Sequence, residues 1–130
     1  MSDVPADLKY SSDHEWVRMQ DDGSAVIGIT DHAQGALGDL VFIEAPEAGS
    51  VFASGDAFGV VESVKAASDV LCPFGGEVLG VNSALDDTPE LVNTDPYGDG
   101  WLIRMQPGDV AELDGLMDAA AYEQFLEKEA

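Results

Sequence analysis

The sequence predicts a mainly β fold, a small barrel or sandwich decorated with helices. Three observations carry that expectation. Apolar and β-branched residues fall in short runs separated by turn residues. Fourteen glycines punctuate those runs. A helical period appears briefly near the end of the first quarter of the chain and again only at the C-terminal end.

The elements follow in order. His14 to Met19 reads as a strand, Asp21-Asp22-Gly23 as a turn and Ala25 to Thr30 as a second strand, together an antiparallel hairpin. Thr30 has the chemistry of an N-cap for a two-turn helix over Asp31 to Leu37, and Gly38 that of its stop. Asp39 to Glu44 is a third strand, with Pro46 and Gly49 in the loop after it. Ala57 to Val64, Val70 to Phe74 and Glu77 to Val81 read as further strands, with Gly75-Gly76 as the turn between the last two. Asp86 to Gly100 holds Pro89, Pro96 and several breakers, which predicts a long loop with one helical turn. Trp101 to Gln106 is a strand ended by Pro107-Gly108. Leu113, Leu116, Met117, Ala121, Phe125 and Leu126 then recur at three- and four-residue spacing. That spacing predicts C-terminal amphipathic helix, with Asp118 as the N-cap of the final segment.

Length and charge bound the function. The 130 residues suit a single domain spanning 1–130, with little material for a deep substrate pocket. Twenty-six acids against five bases give a net charge of −21. Such a surface repels nucleic acid and anionic lipid and favours partners with basic faces. No apolar stretch is long enough for a membrane span, and residues 1–7 lack the pattern of a secretory or organelle-targeting leader. The expectation is a cytoplasmic protein, and nothing suggests more than a monomer. The lone Cys72 excludes an internal disulfide and reads as a small buried hydrophobe. His14-Glu15 and Asp31-His32 match no standard metal-ligand spacing.

The chemistry concentrates on a lysine. Lys9 and Lys128 lie near the two ends, and Lys65 is the only lysine between them. Gly55 stands ten positions before it and Gly75 ten after, with apolar runs of similar length between. Folded at Lys65, the segment makes a hairpin with the lysine at an exposed tip, reachable by other proteins. A Schiff-base lysine needs burial or a cationic neighbour, whereas the nearest charges here are the acids Glu62 and Asp69. A lysine acylated by another enzyme fits better, since acylation turns the side chain into a neutral tether. No convincing set of nucleophile, base or metal supports an enzyme.

The run Gly59-Val60-Val61-Glu62-Ser63-Val64-Lys65-Ala66-Ala67-Ser68-Asp69 closely resembles the lipoyl-attachment segment of the glycine cleavage system H-protein family. Further blocks resemble the same family in register: Leu8-Lys9-Tyr10, His14-Glu15-Trp16, Gly28 to Gln34, Leu37-Gly38-Asp39, Gly76-Glu77-Val78, Pro89 to Asn93 and Gly100-Trp101. The likeness runs from about Leu8 to Phe125.

The resemblance implies a flattened, lipoyl-domain-like β-barrel or sandwich, with a short helix in the N-terminal third and helices at the C-terminus. It implies lipoate in amide linkage to Lys65 and a non-catalytic shuttle. The arm would take an aminomethyl group from a pyridoxal-phosphate glycine decarboxylase (P protein), visit an aminomethyltransferase (T protein) and be reoxidised by a dihydrolipoyl dehydrogenase (L protein). Lipoate-attaching enzymes are implied as further partners. Glu62 and Asp69 flank the lysine as recognition or arm contacts, and Asp13 and Glu15 are implied in a cleft for the loaded arm. Biotin carriers use a similar hairpin, but their lysine lies between methionines, and here its neighbours are Val64 and Ala66. The rival of another kind is an acidic protein-interaction or regulatory module without a loaded arm.

Overall fold

The structure is a computed structural model that describes residues 4–129. Residues 1–3, the start of the acidic opening segment, and residue 130 lie outside the described residues.

Two antiparallel sheets face each other. The larger contains β1 (Lys9–Tyr10), β2 (Glu15–Met19), β3 (Ala25–Ile29), β5 (Val51–Phe52), β8 (Gly76–Val81) and β9 (Ile103–Pro107), in the order β1-β2-β3-β9-β8-β5. The smaller contains β4 (Leu40–Glu44), β6 (Ala57–Ser63) and β7 (Ala67–Leu71), in the order β4-β6-β7. Among the described residues no strand pairing closes the two into a barrel, so the result is a flattened sandwich. Alternation sends Val17, Ile27, Val78, Ile103 and Met105 of one sheet against Ile43, Phe58, Val61 and Val70 of the other, and this shared core fixes the small sheet on the large one. A second cluster forms on the opposite face of the first hairpin. There Tyr10 and Trp16 sit cross-strand and Tyr122 stacks on Tyr10 with ring centroids 4.6 Å apart.

The early elements follow the sequence closely. β2 and β3 pair as a hairpin, and helix α1 (Asp31–Leu37) starts at Thr30, whose side chain accepts the Ala33 N–H. Its stop is Gly38, whose φ of 84° is open to glycine and strained for other residues.

Later boundaries differ, for identifiable reasons. The strand expected over Val70 to Phe74 is β7, Ala67–Leu71, because the turn at Lys65 sets the pairing from its own end. The chain leaves the sheet at Cys72 and Pro73, and Phe74 is apolar because it is fully buried in the core, outside any strand. Gly75-Gly76 is not a hairpin turn, since β7 and β8 belong to different sheets. Gly76 opens β8, where a Cβ would stand 2.2 Å from the Gln106 carbonyl oxygen. The expected loop from Asp86 to Gly100 is entered by one short helix, α2 (Ala84–Asp87), and contains a second, α3 (Leu91–Thr94), each burying one apolar residue, Leu85 and Val92. The strand expected over Trp101 to Gln106 is β9, displaced two residues at its start and extended to Pro107. At the end, a 3-10 segment (Val110–Gly115) is separated from helix α4 (Ala119–Glu129) by Met117, which pairs with Tyr10. Asp118 Oδ1 accepts the Ala121 N–H at 2.8 Å, as its N-cap reading requires.

Candidate functional site around Lys65

Strands β6 and β7 form the hairpin that the sequence suggests, and Lys65 lies exposed in its turn. Ser63 shapes that turn. Its Oγ accepts the N–H groups of Lys65 (3.2 Å) and Ala66 (3.1 Å) and donates to the Ala66 carbonyl (3.1 Å). The Ser63 N–H also donates to the Ala66 carbonyl at 2.7 Å. A hydroxyl bonding the backbone two and three residues on is a compact way to hold a turn without glycine. Gly55 closes the far end of the hairpin with φ 90° and an N–H bond to the Cys72 carbonyl.

The lysine lies over a shelf made by the linker from α1 to β4. A Cβ placed on Gly38 would stand 3.1 Å from Lys65 Cε and 3.6 Å from Nζ, so the aliphatic stem crosses that glycine. The Val64 N–H donates to the Asp39 carbonyl at 3.3 Å, which ties the tip to the same linker. Asn93, at the middle of α3, holds the shelf from behind. Its Oδ1 accepts the Leu40 N–H at 2.9 Å, and its Nδ2 donates to the Gly38 carbonyl at 2.8 Å and to Gln34 Oε1 at 2.9 Å.

Glu62 and Asp69 flank the tip on one face of the hairpin. Glu62 stands opposite Ala67 and Asp69 opposite Val60, which makes the two acids diagonal neighbours. Glu15 lies elsewhere, buried at the start of β2. Ser11 Oγ donates to its Oε1 at 2.6 Å. Burial pushes the Glu15 carboxyl up to about 7, Ser11 opposes the shift, the Asp13 charge adds to it, and the Leu71 N–H opposes it. Asp13 is exposed and lines an open cleft with Ser11, Gly55, Cys72 and Phe125. The structure therefore brings Asp13 and Glu15 together at the start of β2, and it places Glu62 and Asp69 on the two strands of the Lys65 hairpin. Asp69 lies on the outer strand of the small sheet. Cys72 is buried, and its thiol is pushed up to about 12, by burial first and then by the charges of Asp56 and Glu15. It stays a neutral thiol at ordinary pH, a small packing residue. Trp16 is fully buried with its Nε1–H on the Pro96 carbonyl, and Trp101 is half-buried.

Sequence reasoning gives Ser63 and Asn93 no role of their own. Ser63 carried a usable signal, a hydroxyl two residues before a turn lysine. Asn93 carried none, because its partners lie more than fifty residues away in the chain.

Comparisons with known proteins bear on this arrangement. The glycine cleavage H-protein family model matches residues 8–129. The chain is 61% identical to the glycine cleavage system H protein of Halorhodospira halophila over 129 residues, 99% of each chain. It is 55% identical to that of Shewanella woodyi over 129 residues, covering 99% of this chain and all of the relative. Among solved structures, a glycine cleavage system H protein from Mycobacterium marinum superposes with a TM-score of 0.87 at 40% identity, covering 95% of this chain and 99% of that one.

Proposed function

The chain belongs to the glycine cleavage H-protein family, and from that premise we propose that it acts as one lipoyl-carrier domain with lipoate in amide linkage to Lys65. The partners in this reading are the glycine-decarboxylating P protein, the aminomethyl-transferring T protein and the L protein that reoxidises the arm, together with a lipoate-attaching enzyme. The family match favours this over an acidic interaction module without an arm.

The observation that supports the assignment is the setting of Lys65: an exposed amine on a turn pinned by one serine hydroxyl, at the end of a hairpin rooted in the core. A shuttle needs a mobile arm on a rigid base, because the base sets where the arm starts and the arm gives a high effective concentration at each partner site. The lysine fits an amide-linked arm, since its side chain is exposed at the hairpin turn. Bound lipoate supplies a dithiolane able to accept an aminomethyl group. The protein's own residues supply position. Ser63 fixes the turn, and Gly38 leaves room for the lysine stem. In this reading the exposed carboxylates of Asp69 and Asp13 would receive the amine of a loaded arm, with the buried Glu15 close to Asp13. No helix among the described residues is long and apolar enough to cross a membrane.

Intact mass and peptide mapping test the assignment, after incubation with lipoate, ATP and a lipoate–protein ligase. The expected result is one lipoyl group on the Lys65 peptide and none in Lys65→Arg. An unmodified native chain beside a competent control substrate would overturn the carrier reading.

A further inference from the structure

Strand β4 breaks its own alternation beside the lysine. Leu40 is 3% exposed, Val41 54%, Phe42 51% and Ile43 7%. A regular strand would send Phe42 inward with Leu40. The pairing shows why it does not. Leu40 stands opposite Ser63 and Phe42 opposite Glu62, so Val41 is an extra residue, a β-bulge. Two successive apolar side chains are thereby turned to solvent. The extra residue also lets Leu40 and Ile43, three apart in the chain, both face the core, and bulges are concentrated where a strand re-aims a side chain near a site.

The bulge lies on the side where the lysine rests. Lys65 Nζ is 3.6 Å from the Cβ position of Gly38, three residues before Val41 in the chain. The turn adds a third apolar side chain, Val64, 72% exposed and tied through its N–H to Asp39. Acids surround the three. Asp39 precedes the strand, Glu62 faces Phe42, and Glu44 and Asp69 flank Val60 from the two sides of β6. An apolar centre inside an acidic rim is complementary to an apolar pocket inside a lysine- or arginine-lined rim.

Taking Lys65 as the acylated residue, we infer that Val41, Phe42 and Val64 form the docking surface for the enzyme that attaches the acyl group. The chemistry of attachment selects this partner. The amine, having released the ammonium proton to base, attacks the carbonyl of an acyl adenylate. The amide C–N bond forms as the C–O bond to phosphate breaks, and AMP leaves. Nζ must itself come into bonding distance of that carbonyl. No arm yet spans a gap, so the surface around the lysine is pressed against the enzyme's active-site mouth. Partners of the loaded chain meet the end of a long arm instead and need less of this surface.

The test uses the full chain, lipoate, ATP and a lipoate–protein ligase, with lipoylation followed by intact mass at varied protein concentration. Val41→Ser combined with Phe42→Ser is expected to raise KM about tenfold while kcat stays within about twofold, the mark of lost docking. Val41→Thr with Phe42→Thr keeps strand propensity and is expected to show the same shift. Val51→Ser, at an exposed apolar residue of the other sheet, is expected to change nothing. Added salt is expected to raise the native KM by screening the acidic rim. A native chain modified normally, with double variants of unchanged KM and unchanged melting temperature, overturns the docking surface and leaves the carrier reading intact. A native chain that takes no lipoyl group overturns the carrier reading itself.

Discussion

Asn93 Nδ2 donates to the Gly38 carbonyl at 2.8 Å, and its Oδ1 accepts the Leu40 N–H at 2.9 Å. One amide thus grips the chain on both sides of Asp39, the residue whose carbonyl holds Val64 beside the lysine. The linker between α1 and β4 would otherwise leave its carbonyl and N–H groups unpaired in a half-buried place.

Asn93→Ala removes all three side-chain bonds of this clamp. The expected loss is about 2 kcal/mol of unfolding free energy, from backbone groups left without partners. Urea denaturation measures it. Asn93→Asp retains the acceptor for Leu40 but neither donor, and is expected to fall between the alanine variant and the native chain. Equal stability of all three would show that water replaces the clamp at no cost.

Glu15 makes a signed prediction about pH. Its folded carboxyl is raised from the ordinary 4.5 to about 7, chiefly by burial. Between those values the folded chain holds a proton that the unfolded chain has lost, so the contribution of Glu15 to stability falls as pH rises. The protonated folded form carries no penalty below about pH 4.5, and the full penalty, about 3 kcal/mol, is present above about pH 7. Glu15→Gln cannot titrate. Its stability relative to the native chain is expected to rise from pH 4 to pH 8, read from urea midpoints across that range. A constant difference would show that Glu15 titrates as an ordinary carboxyl. Comparison against the variant also removes the general self-repulsion of a chain with net charge −21.

The two glycines of β8 differ sharply. A methyl on Gly76 would meet the Gln106 carbonyl oxygen at 2.2 Å, a backbone atom that cannot swing away, whereas one on Gly80 meets nothing within 4 Å. Gly76→Ala is expected to cost about 3 kcal/mol through forced separation of β8 and β9. Gly80→Ala is expected to stay within about 0.5 kcal/mol of the native chain. Thermal melts of the two variants decide it, and similar melting temperatures would refute the steric account.

The first half of the fold was legible because its signals are local. Thr30 and Gly38 bound α1 with their own side-chain and backbone chemistry, and the β2–β3 hairpin shows in alternation interrupted by Asp21-Asp22-Gly23. The Lys65 hairpin was legible too, from one isolated lysine and two matching apolar runs. Signals failed where apolar residues face the core without belonging to a strand. Phe74 is fully buried after the chain has left β7, so its hydrophobicity extended that strand falsely. Gly75-Gly76 looked like a turn because glycine marks both turns and close strand contacts, and composition alone does not separate the two.

By itself, the sequence determined the β class, the capped early helix, the acidic surface and the lysine at a hairpin tip. Each follows from spacing or side-chain chemistry within a few residues. Only the tertiary structure decided that Asn93 clamps the shelf under Lys65, that Glu15 is buried, and that a bulge turns Val41 and Phe42 outward together. Those depend on pairing and packing between distant segments. A one-residue slip in pairing reverses which face a side chain takes, and the residues that fix the register lie on the neighbouring strand.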